Sequence, residues 1–245
     1  MKVFEGERID DIGFGNLKLI QNTADFCYGI DAVILADFAA QNARKARRIA
    51  DLGTGTGILP LILSHKTDAE EITGFEVRKC SYEIAVRNAQ GNGLEDRIRF
   101  VNANVKDIDE RYLGTYDTVT MNPPYMESGR GIVNPDDGKM IARHEILGTL
   151  EDFMRAASVL LEHRGDLFIV HRPSRLADIF CIGRSLKLEP KAVKMVKPRE
   201  GDAANIVLVH LVKNGGKQLK VLKDLNVYGR DNTYTDDIIS IYERV

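Results

Sequence analysis

The sequence predicts an α/β fold built on a mostly parallel sheet with helices on both faces. Short apolar runs alternate with helical patterns between residues 49 and 185, and each helix would return the chain to the same edge of the sheet. A glycine-rich turn joins the first run to a helix, and polar residues follow several of the others. Ligands of such sheets bind beyond the carboxyl ends of the strands, so we expect the functional residues at that edge.

Composition limits the classes of protein that fit. The 245 residues are 44% apolar, and neither a repeat nor a linker is visible, so we expect one domain over residues 1–245. With 34 basic and 36 acidic residues the net charge is −2, so any contact with nucleic acid must come from a local basic patch. No apolar run is as long as a membrane span, and the first residues lack the apolar core of a secretory leader. We therefore expect a cytoplasmic protein with no membrane contact.

The three cysteines, Cys27, Cys80 and Cys181, are odd in number and far apart. This spacing disfavours a disulfide framework and a zinc site, and it is typical of a reducing compartment. We therefore expect the cysteines to fill space in the core, and we expect no metal.

The chain begins with residues 1–30, which we expect to form a hairpin of two short strands and a loop that covers the ligand site. We expect Asp31 to cap the next helix. Residues 126–148 are rich in Gly, Asn, Pro and Asp and predict a mobile loop over the active site. Near the C-terminus, Asn214-Gly215-Gly216 predicts a hairpin with residues 219–222. Other strands are predicted at 71–77, 97–101, 116–121, 167–170, 192–196 and 206–212, and helices at 81–91, 153–162 (ended by Gly165) and 174–185.

The glycine-rich turn reads Asp51-Leu52-Gly53-Thr54-Gly55-Thr56-Gly57. Glycines permit a tight turn and close approach of a ligand, and the following helix N-terminus offers free N–H groups. An ordinary βα turn could have the same sequence. A dinucleotide site is disfavoured, because the glycine spacing does not fit the dinucleotide-binding pattern. The leading acid would repel a pyrophosphate and suits a cation, and S-adenosyl-L-methionine (SAM) carries a sulfonium and an ammonium. We predict a SAM site at Asp51, Gly53 and Gly55.

Polar residues also follow the next two strands. Glu76 ends the strand after the glycine-rich turn, where an acid can accept hydrogen bonds from both hydroxyls of a ribose. Asn104 follows the third strand. Since all these strands are predicted to be parallel, Asp51, Glu76, Asn104 and Asn122 should converge on one edge.

A second motif, Asn122-Pro123-Pro124-Tyr125, ends the strand 116–121. Two prolines cannot continue a central strand, so the motif is at least a turn. The Asn122 amide oxygen and the Pro123 carbonyl could accept both hydrogens of an adenine N6 amine, which would localise its lone pair in the transition state. Pro124 stiffens the loop and Tyr125 could stack on the base. This chemistry needs no strong base, so we expect structural roles for His144 and His171.

Basic residues outnumber acids nine to three between Arg164 and Arg199. Such a span predicts either a patch that contacts phosphates or an ordinary solvated face, and the sequence leaves both open. The candidate RNA contacts are Arg172, Arg175, Lys194 and Lys197.

With these motifs the chain resembles the bacterial tRNA adenine N6-methyltransferases that act on the anticodon loop of a valine tRNA. The resemblance implies a Rossmann-like class I SAM-dependent methyltransferase fold with a mostly parallel seven-stranded sheet. It places SAM at the glycine-rich turn and Glu76, with Tyr28 and Gly29 at its methionine end, and the target at Asn122–Tyr125. The partner would be a tRNA anticodon stem-loop. The segments that carry the resemblance are Leu19-Ile20-Gln21, 28–33, 51–57, 122–125, Ala142-Arg143-His144-Glu145 and His171-Arg172-Pro173.

One departure concerns the adenine of SAM. Asn104 stands where such enzymes usually have an acid, and Asp107 follows three residues on, so either residue could make that contact. Two other functions also remain open. A glutamine methyltransferase acting on release factors would use the same Asn-Pro-Pro-Tyr chemistry, and a non-catalytic RNA-binding module could keep the fold.

Overall fold

The computed structural model describes residues 1–23, 28–124 and 148–243. Cys27, Tyr125, His144 and nearly all of the predicted 126–148 loop lie outside these ranges. The strands are β1 (Glu7–Asp11), β2 (Lys18–Asn22), β3 (Arg48–Leu52), β4 (Glu71–Glu76), β5 (Ile98–Asn102), β6 (Tyr116–Met121), β7 (Leu161–His171), β8 (Leu188–Lys197), β9 (Ile206–Lys213), β10 (Lys220–Val221) and β11 (Leu225–Asn226). The helices are α1 (Ile30–Asn42), α2 (Ile58–Lys66), α3 (Lys79–Gly91), α4 (Leu150–Leu160), α5 (Leu176–Ser185) and α6 (Asp236–Ile241), with 3-10 turns at Glu110–Tyr112 and Pro173–Arg175.

The main sheet has its seven long strands in the order β5-β4-β3-β6-β7-β9-β8. The first five are parallel, β9 is antiparallel to both of its neighbours, and β8 therefore points the same way as the first five. The predicted mostly parallel seven-stranded sheet is confirmed for these strands. Two strands of two residues each, β10 and β11, pair in parallel with the outer edge of β8 and bring the sheet to nine strands within the described ranges.

Helices cover both faces of this sheet, as predicted. Alternate residues of one strand enter different cores: Ile49 of β3 packs with α1 and α2, whereas Ala50 packs with α4 and α5. Phe168 and Ile169 of β7 divide between the two cores in the same way. This alternation is the period of two that a strand buried on both faces requires.

Some predicted elements were wrong in detail. The turn at 214–216 does not form a hairpin, because β9 is already paired on both edges, with β7 and β8, and the chain crosses instead to the free edge of β8. Gly165 does not end a helix: α4 ends at Leu160, and Gly165 lies inside β7. The N-cap of α1 is Gly29 and not Asp31, which lies in the first turn.

The prediction that the cysteines fill the core was also wrong for the two that are described. Cys80 and Cys181 are exposed, because each lies on the solvent side of its helix, α3 or α5, while apolar neighbours such as Ile84 and Ile179 face the sheet. Both thiols are free.

Candidate functional site

The carboxyl ends of the parallel strands bring the predicted site residues together. Leu52 of β3 is paired with Phe75 of β4 on one side and with Met121 of β6 on the other. One residue further on, Gly53, Glu76 and Asn122 therefore lie in one row across three neighbouring strands. The predicted convergence at this edge is present, with the glycine-rich turn in the middle.

The glycine-rich turn needs its glycines for two different reasons. Gly53, Gly55 and Gly57 all have positive φ, at 69°, 59° and 87°, a conformation that L-residues with side chains rarely adopt. A Cβ on Gly57 would also lie 2.7 Å from the Phe100 ring, whereas a Cβ on Gly55 would have no atom within 4 Å. Gly57 thus lets the turn pack on β5, while Gly55 faces open space where a ligand can approach the backbone.

Strand β4 holds the first half of this turn. The N–H groups of Gly53 and Thr54 both donate to the Phe75 carbonyl, at 2.9 and 3.0 Å. The next N–H, that of Gly55, donates to Oε2 of Glu76 at 2.9 Å. The turn is therefore fixed to the same strand end that carries the predicted ribose acceptor.

Asp51 lies fully buried at the base of the turn. Its Oδ1 accepts a hydrogen bond of 2.7 Å from the hydroxyl of Thr120 on β6, while its Oδ2 is buried without a hydrogen-bond partner. Burial raises the pKa of Asp51 to about 7, and the nearby Glu76 carboxylate adds to the rise, while the hydroxyls of Thr54 and Thr120 oppose it. The Thr54 hydroxyl acts by proximity, since it makes no hydrogen bond of ordinary geometry.

Glu76 is 4% exposed and already accepts two backbone hydrogen bonds, from Gly55 to Oε2 and from Arg78 to Oε1 at 2.9 Å each. The Arg78 guanidinium lies 3.5 Å from the same Oε1. A carboxylate has about four acceptor positions, so each oxygen of Glu76 retains one. The backbone contacts fix the direction in which these remaining lone pairs point.

Tyr28 and Gly29 lie at the start of α1. The N–H of Tyr28 donates to Oε1 of Gln21 at 2.9 Å, and Nε2 of Gln21 donates to Asp10 of β1. Gly29 is the N-cap of α1, and a Cβ added there would meet nothing within 4 Å. Gln21, which is buried, thus ties this segment to the β1–β2 hairpin.

Asn104 follows β5 by two residues, as the sequence predicted. Its Oδ1 accepts from the Lys106 N–H at 3.0 Å, and its carbonyl accepts from the Asp107 N–H. The side-chain oxygen therefore closes the local turn, while Asp107 is exposed. The contact of the cofactor adenine with Asn104 or Asp107 stays a prediction, with both residues as candidates.

The second motif continues directly from β6. Met121 ends the strand, and Asn122, Pro123 and Pro124 follow outside any helix or strand, with Pro123 buried and Asn122 partly exposed. Tyr125 lies outside the described residues. The catalytic roles of Asn122–Tyr125 stay predictions, now with Asn122 in the same row as Gly53 and Glu76.

His171 ends β7 close to this row. Its Nδ1 accepts a hydrogen bond of 2.8 Å from the Arg172 N–H. Burial lowers the pKa of His171 to about 4, and the charges of Arg175 and Arg172 lower it further. A neutral ring with an engaged Nδ1 favours the structural role expected for it.

The basic span divides between the two ends of the sheet. Arg172 and Arg175 follow β7 and Lys197 ends β8, so these residues lie at the same edge as the site; Lys194 lies level with Val170, one residue before the end of β7. Arg164 and Lys187 lie at the opposite edge. The span is therefore not one surface, but all four predicted RNA contacts are in the half beside the site.

Three of these four side chains already have partners. Arg172 donates to the Asn205 carbonyl at 3.0 Å, Arg175 pairs with Asp178 at 2.7 Å and Lys197 pairs with Asp224 at 2.6 Å. These contacts are at or near the surface, so they hold the cations in place at little gain in stability. A phosphate would have to compete with Asp178 for Arg175 and with Asp224 for Lys197.

Sequence reasoning missed Thr120 and assigned no role to Gln21 or Asn88. Thr120 and Asp51 are opposite each other in the β3–β6 register, which the lengths of the two strands could have indicated. Asn88 contacts residues 32 and 68 positions away, and no local pattern gives such contacts.

The residues at this edge fit SAM. An open backbone at Gly55, a carboxylate at Glu76 with free acceptor positions and a buried carboxylate at Asp51 with an unpartnered oxygen match the hydroxyls and positive charge of that molecule. Within residues 1–23, 28–124 and 148–243, no cluster of three or more His, Cys, Asp and Glu side chains could hold a metal ion. None of the helices in these ranges has the length and apolar character needed to span a membrane.

Comparison with known proteins agrees with this site. The model of the methyltransferase small domain family matches residues 30–180. The chain is 27% identical over 217 residues to a tRNA1(Val) (adenine(37)-N6)-methyltransferase of Aeromonas hydrophila, covering 87% of each chain. It is 26% identical to the protein of the same name from Tolumonas auensis, covering 93% of each.

Solved structures show the same fold. A predicted O-methyltransferase from Agrobacterium tumefaciens superposes with a TM-score of 0.70 at 23% identity, covering 87% of this chain and 95% of that one. TYW2 from P. horikoshii, solved in complex with MeSAdo, superposes with a TM-score of 0.61 at 15% identity, covering 87% of this chain and 74% of that one. Because the family model matches more than half of the chain, and does so across the glycine-rich turn and the Asn-Pro-Pro motif, the protein belongs to the methyltransferase small domain family.

Proposed function

We propose that the protein transfers a methyl group from SAM to the N6 amine of an adenine in a tRNA anticodon loop. The observation that carries the proposal is the row of Gly53, Glu76 and Asn122 across three strand ends. It brings the predicted cofactor residues and the predicted target residue to adjacent strands. The names of the relatives from Aeromonas hydrophila and Tolumonas auensis support the choice of tRNA and of adenine N6.

SAM would supply an electrophilic methyl group on a positively charged sulfur. Asp51, Gly53, Gly55 and Glu76 would hold it at the β3 and β4 ends, with Tyr28 and Gly29 along its methionine end and Asn104 beside its adenine. Residues 1–30, which contain the β1–β2 hairpin and a loop, would cover the cofactor, and residues 126–148 would form a mobile loop over the active site. Both segments would belong to one domain of residues 1–245.

Asn122 and Pro123 would act on the target amine. The Asn122 Oδ1 and the Pro123 carbonyl accept the two amine hydrogens, and this draws the nitrogen toward a tetrahedral shape with a localised lone pair. The contact strengthens as the nitrogen becomes positive, so it favours the transition state over the ground state. One N–H proton then leaves to solvent, since methylation makes it acidic. Pro124 would stiffen this segment and Tyr125 would stack on the base.

The RNA would be held by the basic residues beside the site. Arg172, Arg175, Lys194 and Lys197 lie at or next to the carboxyl ends of β7 and β8. These strands are one and three positions from β6, which leads into Asn122, and their carboxyl ends lie at the same end of the sheet as the site. An unpaired loop base can enter a pocket at this edge without disrupting a duplex. These four contacts remain predictions.

Methyl transfer to total RNA and to a protein extract, each with labelled SAM, tests the proposal. Mass spectrometry should find N6-methyladenine in tRNA. A methyl group on glutamine of a protein would establish the release-factor alternative instead. Absence of transfer to either extract, with RNA still bound, would favour a non-catalytic RNA-binding module.

A further inference from the structure

Asn88 on α3 is fully buried, and its side-chain amide joins three segments of the chain. Its Oδ1 accepts from the Ile20 N–H at 2.7 Å. Its Nδ2 donates to the Ile20 carbonyl at 3.1 Å and to the Thr56 carbonyl at 2.9 Å. One amide thus connects α3, strand β2 and the glycine-rich turn.

The Thr56 contact holds the half of the turn that β4 does not reach. The first half is bonded to Phe75 and Glu76, as described above, whereas Thr56 lies between Gly55 and Gly57, both with positive φ. Glycines in that conformation do not by themselves fix the orientation of the intervening peptide. The peptide from Thr56 to Gly57 is held on both sides: its N–H, on Gly57, donates to the Thr54 carbonyl at 3.0 Å within the turn, and its carbonyl, on Thr56, accepts from Nδ2 of Asn88. The Asn88 bond ties this peptide to α3.

The Ile20 contacts connect Asn88, through β2, to the Tyr28–Gly29 segment. Gln21, the next residue of β2, accepts from the Tyr28 N–H at 2.9 Å. A continuous series of hydrogen bonds therefore connects the glycine-rich turn, through Asn88 and β2, with the segment that starts α1. The predicted cofactor contacts lie at both ends of this path.

Asn92, one helical turn further along, provides a natural comparison. Its Oδ1 accepts from the Lys18 N–H at 2.9 Å, and its Nδ2 donates to the carbonyls of Lys18 and Asn88 at 2.8 and 2.7 Å. Asn88 and Asn92 thus make three hydrogen bonds each and dock the same strand, but only Asn88 reaches the glycine-rich turn.

We propose that Asn88 is a positioning residue for cofactor binding, which sets the distance and orientation between the glycine-rich turn and the Tyr28–Gly29 segment. The proposal rests on the proposed function, since it requires the SAM site at this edge. It gives Asn88 a role that Asn92 does not share, although both hold the N-terminal hairpin on α3.

The test compares Asn88→Ser with Asn92→Ser in the full chain, using calorimetry with S-adenosylhomocysteine and thermal unfolding. Both variants should unfold at lower temperature, because each loses hydrogen bonds to β2. Only Asn88→Ser should bind the ligand more weakly, by about tenfold, the effect of one lost hydrogen bond. In steady-state assays it should raise KM for SAM while kcat at saturating SAM and KM for tRNA stay within about threefold.

Asn88→Asp provides a second variant with nearly the same volume and the same acceptor for the Ile20 N–H, but without the donors to the Ile20 and Thr56 carbonyls. It should also weaken ligand binding. Equal affinities of the Asn88 and Asn92 variants would overturn the proposal, as would complete unfolding of both Asn88 variants while Asn92→Ser stays folded, because Asn88 would then serve the scaffold as a whole. Failure of the wild-type protein to bind the ligand would refute the proposed function itself.

Discussion

The carboxylate of Asp51 and the hydroxyl of Thr120 are joined by a hydrogen bond of 2.7 Å across the β3–β6 pairing. Thr120 lies two residues before Asn122, and Asp51 lies two residues before Gly53. The bond therefore fixes the two strand ends from which the predicted cofactor and target residues emerge. Its other consequence is electrostatic, because the carboxylate is held in a fully buried position.

Asp51 should make the stability of the protein depend on pH. Its pKa is raised from 3.8 to about 7 in the fold, so the folded state favours the neutral form. As pH rises from 4 to 7, the unfolded chain loses this proton while the folded chain keeps it, and the free energy of unfolding falls. Asp51→Asn removes this dependence. The free energy of unfolding of the variant, relative to that of the wild type, should therefore rise by about 2–3 kcal/mol from pH 5 to pH 8.

Urea unfolding of both proteins at the two pH values measures this difference, with Thr118→Val as a control for altered strand packing. Parallel pH dependence in wild type and Asp51→Asn would show that Asp51 is already ionised in the fold at pH 5.

The same carboxylate should link cofactor binding to pH. A positively charged ligand beside Asp51 favours its ionised form, so binding below pH 7 should release a proton. SAM affinity should then rise between pH 6 and pH 7, by at most about tenfold, and level off above pH 7. Calorimetry in buffers of different ionisation enthalpy measures the released proton. If Asp51→Asn released the same proton, another group would be responsible.

Glu76→Ala should weaken SAM binding by about 1–3 kcal/mol, the effect of losing hydrogen bonds to a charged acceptor. The loss has two physical sources. The ribose hydroxyls would lose their predicted acceptor, and the Gly55 and Arg78 N–H groups would lose the acceptor that holds them in place. Glu76→Gln keeps one oxygen and should bind with intermediate affinity. Wild-type affinity in Glu76→Ala, measured by calorimetry, would exclude Glu76 from the cofactor site.

Asn122→Ala should lower the single-turnover rate of methyl transfer by about two to three decades, as when one transition-state hydrogen-bonding group is removed. Its affinity for SAM should stay unchanged, since Asn122 is predicted to face the target. Asn122→Asp retains an acceptor and should keep more activity than Asn122→Ala. A near-normal rate in Asn122→Ala would show that the motif only forms a turn and has no catalytic role.

How far the sequence could predict this structure depends on the range of the interactions. The strands β3 to β6 were predictable because apolar runs and polar end residues are local signals, and their carboxyl ends had to meet at one edge. The failed hairpin at 214–216 carries a good local turn signal, but its outcome depends on β7 and β8 having already occupied both edges of β9.

The candidate site follows the same rule. Asp51, Glu76 and Asn122 could be found because each lies within one residue of the end of a strand. Asn88 could not, since its partners lie on β2 and in the glycine-rich turn. The basic span looked continuous in sequence, yet β7 and α5 carry its members to opposite ends of the sheet, and only the topology separates Arg172 from Arg164.

That separation gives the last prediction, which concerns RNA. If the cations beside the site neutralise about four phosphates of a single-stranded loop, the logarithm of tRNA affinity should fall with the logarithm of salt concentration at a slope near −3. Charge reversal of Lys194 and Lys197 to Glu should flatten this slope and weaken binding, while SAM affinity stays unchanged. Lys217→Glu is the matched control, because Lys217 follows β9 at the opposite edge. Filter binding over a range of salt concentrations compares each of the three variants with the wild-type protein. An effect of Lys217→Glu as large as that of either reversal beside the site would show that net charge, and not this edge of the sheet, governs the affinity for tRNA.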